Sequence, residues 1–115
     1  MTVRASCHCG NVQIKIQHLV AVLHSCNCSI CHRYAALWGF HKVAQVFIEV
    51  GDFALSRYRW GDEMIDFYFC SHCGSTTHYL ALKKSKIDRL AINYRLFEPD
   101  IYKDLAIKKI DGASF

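Results

Sequence analysis

The chain has 115 residues, 52% hydrophobic and 21% charged, which excludes a disordered polypeptide and suits one modest core. Its formal charge is +4, and the basic runs Lys83-Lys84-Ser85-Lys86 and Lys108-Lys109 are too short to make a nucleic-acid-binding face. A single proline and six glycines leave no linker, so residues 1–115 are read as one domain.

In chain order, Met1 to Ser6 runs straight into Cys7-His8-Cys9-Gly10, with no signal peptide in front. Asn11 to Gln17 alternates Val12, Ile14 and Ile16 against Gln13, Lys15 and Gln17, the period of a half-buried strand. Leu19 to His24 is a second strand candidate, and its apolar part is far too short to span a bilayer. Cys26-Asn27-Cys28-Ser29-Ile30-Cys31 follows, then the compact aromatic stretch Ala35 to His41. Val46 to Val50 is β-rich and Gly51-Asp52 a turn, with Phe53, Leu55 and Tyr58 continuing as a strand to a turn at Gly61-Asp62. Met64 to Cys70 alternates again and enters Cys70-Ser71-His72-Cys73-Gly74. Thr76 to Leu82 leads away from that pair, Ile87 to Tyr94 and Ala106 to Ile110 are further strand candidates, and a short helical turn is expected after Phe97-Glu98-Pro99-Asp100. Many short strands with regular turns predict an all-β, mainly antiparallel architecture.

All seven cysteines fall in the three clusters. A closed structural zinc site takes four protein ligands, and a catalytic one keeps a position open. Seven thiols divide into one set of each kind. Each outer pair offers two ligands followed by glycine, which tolerates the backbone of a metal-binding turn. Cys7, Cys9, Cys70 and Cys73 therefore read as two halves of a closed site, and Cys26, Cys28 and Cys31 as an open one. Seven thiolates and two Zn²⁺ would bring the formal charge from +4 to +1. An odd cysteine count and the Cys-x-Cys spacings oppose a disulfide scaffold, and thiolates of this kind suit a reducing cytoplasm. The Cys-x-Cys-x2-Cys spacing also differs from the common ferredoxin run, against an iron–sulfur site.

Cys-His-Cys-Gly, then Cys-Asn-Cys-Ser-x-Cys-x-Arg, then Phe-Cys-x-x-Cys-Gly-Ser resembles the glutathione-dependent formaldehyde-activating enzyme family, which includes centromere protein V-like proteins. The resemblance runs from Ser6 to about Asp111. It implies a β-tent fold, two zinc ions per chain, and a carbon–sulfur lyase acting on a glutathione–formaldehyde adduct such as S-hydroxymethylglutathione. Residue by residue, Cys7, Cys9, Cys70 and Cys73 match the family's structural zinc ligands, and Cys26, Cys28 and Cys31 match the catalytic zinc. Members often read Cys-Arg-Arg after the central cluster; here it is Cys31-His32-Arg33.

Three thiolates give Zn²⁺ a net charge of −1, a soft site suited to a further thiolate, since coordinated thiols are deprotonated. Glutathione or a similar small thiol is the expected partner, with Arg33 offsetting its charge. Cys28, central in the cluster, could alternatively exchange onto a substrate sulfur. Cys28 and Arg33 are thus the catalytic candidates. The competing reading is a non-catalytic zinc-stabilised module recognising glutathione or a protein. His8 and His72 read as surface residues, and His24, His32 and His41 as packed or solvent-exposed. Trp38 and Phe40 read as core, and Ser29 as a turn cap.

Overall fold

The structure, a computed structural model, describes residues 2–61 and 63–114. The expected Gly61-Asp62 turn therefore lies partly outside the described residues, at Asp62. Strands β1 (Val3–Ser6), β2 (Val12–Ile16) and β5 (Val46–Val50) form an antiparallel sheet in the order β1-β2-β5. The remaining strands are β3 (Val22–Cys26), β4 (Trp38–His41), β6 (Leu55–Arg59), β7 (Ile65–Cys70), β8 (Thr76–Ala81), β9 (Leu90–Asn93) and β10 (Ala106–Ile110). They form a second sheet in the order β10-β3-β4-β9-β8-β7-β6. The all-β reading agrees with this architecture, with two short helices added: α1 (Ser29–Tyr34) and α2 (Pro99–Tyr102).

Three local features were not given by the sequence pattern. The expected Leu19–His24 strand begins at Val22 and runs on to Cys26. The reason is that the chain crosses between sheets here, and the Val20 amide donates to the Tyr94 hydroxyl (3.1 Å) rather than to a neighbouring strand. The central cysteines lie partly on α1, which has no apolar periodicity to announce it. That helix rests on its caps: Cys28 Sγ accepts from the Cys31 amide, and Ala35 closes it in the left-handed region at φ 53°. Finally, β10 pairs with β3 in parallel, from Ala106↔Val22 to Ile110↔Cys26, because the crossover through α2 returns the chain in the same direction.

The alternation in β2 does what its pattern dictates. Val12, Ile14 and Ile16 are fully buried and pack with Leu23, Leu90 and Ile92 of the larger sheet and with Tyr94 and Phe97 just after β9. Burying each such aliphatic side chain contributes roughly 1.5–3 kcal/mol. Strand β9 is buried on both faces: Leu90 and Ile92 face this inter-sheet core, while Ala91 joins Cys31, Trp38, Phe67 and Tyr79 on the opposite side. Double burial explains why Leu90-Ala91-Ile92 is continuously apolar. Gly39 of β4 is required here, since a β-carbon would collide with the Tyr94 ring. The second face of the large sheet is the one that carries the central cysteines.

Candidate metal centres and the adjoining cavity

The first centre is built from two strand ends. Cys7 and Cys9 sit in the β1–β2 turn, Cys70 ends β7, and Cys73 lies in the turn to β8. Gly10 (φ 84°) and Gly74 (φ 79°) adopt the left-handed backbone expected of them, and their amides donate to the carbonyls of Cys7 and Cys70. The four sulfurs lie within 4.8 Å of one another. The Cys7–Cys9 and Cys9–Cys70 separations are both 3.7 Å. Sulfurs about 2.3 Å from one tetrahedral ion stand about 3.8 Å apart, so the spacing fits a thiolate-bound metal. It is far too long for disulfides, and all seven cysteines are free.

Donors converge on these sulfurs, as thiolates require. The Val12 amide donates to Cys7 Sγ (3.2 Å), and Asn11 Nδ2 lies 3.6 Å from Cys70 Sγ. Burial opposes ionisation of Cys73, but the Ser75 hydroxyl and amide outweigh it and bring its pKa down to about 5. At Cys9 the Asn11 amide favours the thiolate. Burial and the neighbouring thiols Cys7, Cys70 and Cys73 prevail, pushing it up to about 11. The sulfurs thus compete for few protons, a state that a cation resolves. Asn11 also exchanges hydrogen bonds with the backbone of Phe53 (2.6 and 3.0 Å), pinning the β5–β6 connection beside the centre.

The second centre joins Cys26 at the end of β3 to Cys28 and Cys31 on α1. Cys28 is the N-cap and Cys31 lies one turn on, so both face one side. The Cys31 amide approaches Cys28 Sγ (3.4 Å), and the Cys28 amide approaches Cys26 Sγ (3.5 Å). Burial raises Cys28, yet the Cys31 amide and thiol and the Cys26 thiol prevail and lower it. Burial pushes Cys31 up to about 12, with Cys28 acting in the same sense and Trp38 against it. Among the described residues no fourth His, Cys, Asp or Glu joins this set. The soft, preformed sulfur donors fit a metal ion here as well.

The segment after β10 borders this centre, which the sequence did not announce. Asn27 Nδ2 donates to Asp111 Oδ1 and Asn27 Oδ1 accepts from the Ala113 amide, both at 2.9 Å. The parallel β10 brings this tail to the cysteines, and Gly112 packs directly on them. No local signal in Cys-Asn-Cys could have revealed a partner 84 residues away.

Beside the three sulfurs lies a cavity of about 880 Å³, lined by aromatic residues that include Trp38, Phe40, Trp60, Phe67 and Tyr79. Its volume is that of a small-molecule site, on the order of 300–1,000 Å³. Trp38 and Phe40 therefore serve as both core and cavity wall. His24 stacks on Phe40 at 4.2 Å, and Arg89 lies over the other side of that assembly, 4.0 Å from the Phe40 ring centre. Burial lowers the His24 pKa, the Trp38 backbone opposes, and Lys108 and Arg89 lower it further. Burial raises Tyr79, with Arg89 opposing.

Arg33 lies on α1. Its guanidinium donates to the Ser29 carbonyl of its own helix (2.8 Å) and lines a neighbouring groove with Tyr34, Tyr58 and Phe69. The cations lining the cavity are Arg89 and Lys108. His8, His32 and His72 are exposed, the last stacked on Phe53 at 4.0 Å. His41 is buried against the Tyr94 hydroxyl (2.9 Å).

Fold and site together define a β protein with two cysteine clusters able to hold metal ions, one of four sulfurs and one of three. The sequence pattern described as glutathione-dependent formaldehyde-activating enzyme matches residues 2–103, and the chain belongs to that family. A crystal structure of a Rhodobacter sphaeroides protein shares the fold, with a TM-score of 0.74 and 24% identity over 94% of this chain and 100% of that one. No curated protein matches. The family match ends before β10, so Lys108 and Gly112 lie beyond it. Among the described residues no helix is long and apolar enough to cross a membrane.

Proposed function

We propose that the chain is a zinc-dependent carbon–sulfur lyase acting on a glutathione adduct, or that of a similar thiol, such as S-hydroxymethylglutathione. One observation carries this reading: three sulfurs, joined by no fourth protein ligand among the described residues, line a cavity of about 880 Å³. Membership of a family described by glutathione-dependent formaldehyde activation supports the substrate chemistry.

In this reading Cys7, Cys9, Cys70 and Cys73 hold a structural Zn²⁺, and Cys26, Cys28 and Cys31 hold a second. When bound, the second ion supplies positive charge that favours a substrate sulfur as thiolate. Release of formaldehyde breaks the carbon–sulfur bond, with the electron pair staying on sulfur. The hydroxyl loses its proton as the carbonyl forms, so one adduct gives formaldehyde, a thiolate and a proton. His24 is the proton acceptor we assign. It lines the cavity, and its Nδ1 is buried without a hydrogen-bond partner. Burial and the cations Lys108 and Arg89 keep it neutral and able to accept. Trp38, Phe67 and Tyr79 exclude water from the apolar side.

The test is metal analysis of the purified protein, then calorimetry with glutathione and S-methylglutathione and an assay of formaldehyde release. Two zinc ions, preference for the free thiol and turnover support the reading. Equal affinity for both compounds, or thiol binding without turnover, would instead favour a binding module.

A further inference from the structure

Arg89 and Lys108 arrive at the cavity from separate parts of the chain. Arg89 directly precedes β9, where its carbonyl accepts from the Ala81 amide (3.0 Å), which fixes its backbone. Its guanidinium is then held over Phe40 at 4.0 Å. Lys108 sits on β10 directly opposite His24 of β3 in the parallel register. Among the described residues neither cation has a carboxylate within ion-pair distance. An arginine half-buried in a cavity wall, held over Phe40, donating to the Tyr79 hydroxyl and with no acid to neutralise it, keeps further donors for a carboxylate.

Charge and spacing give this cationic end a purpose. Three thiolates and one Zn²⁺ carry −1, so two cations more than balance the cysteine set and leave the cavity attractive to an anion. Along β3, His24 and Cys26 share a face, as Lys108 and Ile110 do along β10. Two residues of strand span roughly 7 Å. Lys108 thus stands one such step along the sheet from the position paired with Cys26, and Arg89 lines the same cavity as the three sulfurs, so both ends open onto one space.

We infer that Arg89 and Lys108 form a carboxylate subsite, and that the substrate class is an acid-bearing thiol adduct anchored by its carboxylate at this end while its sulfur lies at Cys26, Cys28 and Cys31. The sulfur half rests on the proposed function; the carboxylate half stands on the two cations alone. Arg89 and Lys108 take over the charge-matching role that sequence reasoning gave to Arg33.

The experiment is calorimetry on the purified, metal-containing protein with two matched pairs of probes. One pair is 3-mercaptopropionate and its amide; the other, lacking sulfur, is 3-phenylpropionate and its amide. Each acid is expected to bind roughly tenfold more tightly than its amide, as a charge-assisted hydrogen bond provides. Arg89→Gln should abolish that preference without changing amide affinity, and Lys108→Gln, at an exposed position, should reduce it. Equal affinity of acid and amide in the unaltered protein overturns the subsite, as does failure of all four probes to bind. So does a loss in Arg89→Gln or Lys108→Gln that weakens acid and amide alike, which would mean that the cations only support the cysteines. If both acids are preferred but the thiol binds no better than the phenyl compound, the carboxylate subsite stands and the thiol reading falls.

Discussion

Gly112 stands so close to Cys26 that a β-carbon on it would lie 2.5 Å from the Cys26 sulfur and 3.1 Å from Cβ of Cys28. The turn at Gly112 is therefore part of the wall that the three-cysteine centre and its cavity share. Gly112→Ala must push either the turn or the sulfur aside. We expect roughly tenfold or greater loss of metal affinity at that centre, with the four-cysteine centre unaffected, since second-sphere changes have effects of that size. Competition with a chromophoric chelator measures it. Unchanged retention would mean that the turn yields freely.

The two centres should also differ in how metal and folding are coupled. The four cysteines tie the two sheets together, since Cys7 and Cys9 come from one and Cys70 and Cys73 from the other. Cys73→Ser should therefore cost folding outright. Cys28→Ser should leave the circular dichroism spectrum largely intact while releasing the second metal early in a staged chelation. The reverse pattern would exchange the roles of the centres.

Arg33→Ala should change thiol affinity by less than about threefold. Its guanidinium already donates to Ser29 and lies outside the cavity, and a single exposed hydrogen bond contributes only roughly 0.5–1.5 kcal/mol to local helix stability. Calorimetric titration of the variant with glutathione is the check. A tenfold loss would return Arg33 to the site.

His78 makes stability depend on pH. Burial lowers its pKa from 6.5 to about 4. In the unfolded chain the same imidazole takes up a proton below about 6.5, so the folded state loses stability as pH falls from there towards about 4 and loses no more from this residue below that. The contribution is on the order of 3 kcal/mol. The cysteine centres titrate in acid as well, so the difference between the unaltered protein and His78→Gln isolates the histidine. Denaturant midpoints should converge as pH is lowered through this window; parallel curves would remove His78 from the account.

The sequence by itself determined the strands whose side chains alternate and the glycine turns beside the cysteines. Val12, Ile14 and Ile16 could face only one way, and Gly10 and Gly74 each follow a ligand pair where a left-handed residue is needed. It also determined which thiols were local to one another, because Cys26, Cys28 and Cys31 are joined by too little backbone to part. These are properties of single residues and short spans, and no partner elsewhere is needed to fix them. The helix under Cys28 and Cys31 escaped notice because six residues held by caps carry no periodicity. What only the tertiary structure decided is convergence over long separations: Cys9 with Cys70, Asn27 with Asp111, and Arg89 with Lys108 around Phe40. Sheet order and register bring these together, above all the parallel return of β10 onto β3. Register is set by the sum of many packing and hydrogen-bond choices across both sheets, so no residue beside Arg89 or Lys108 in the chain announces where either will stand.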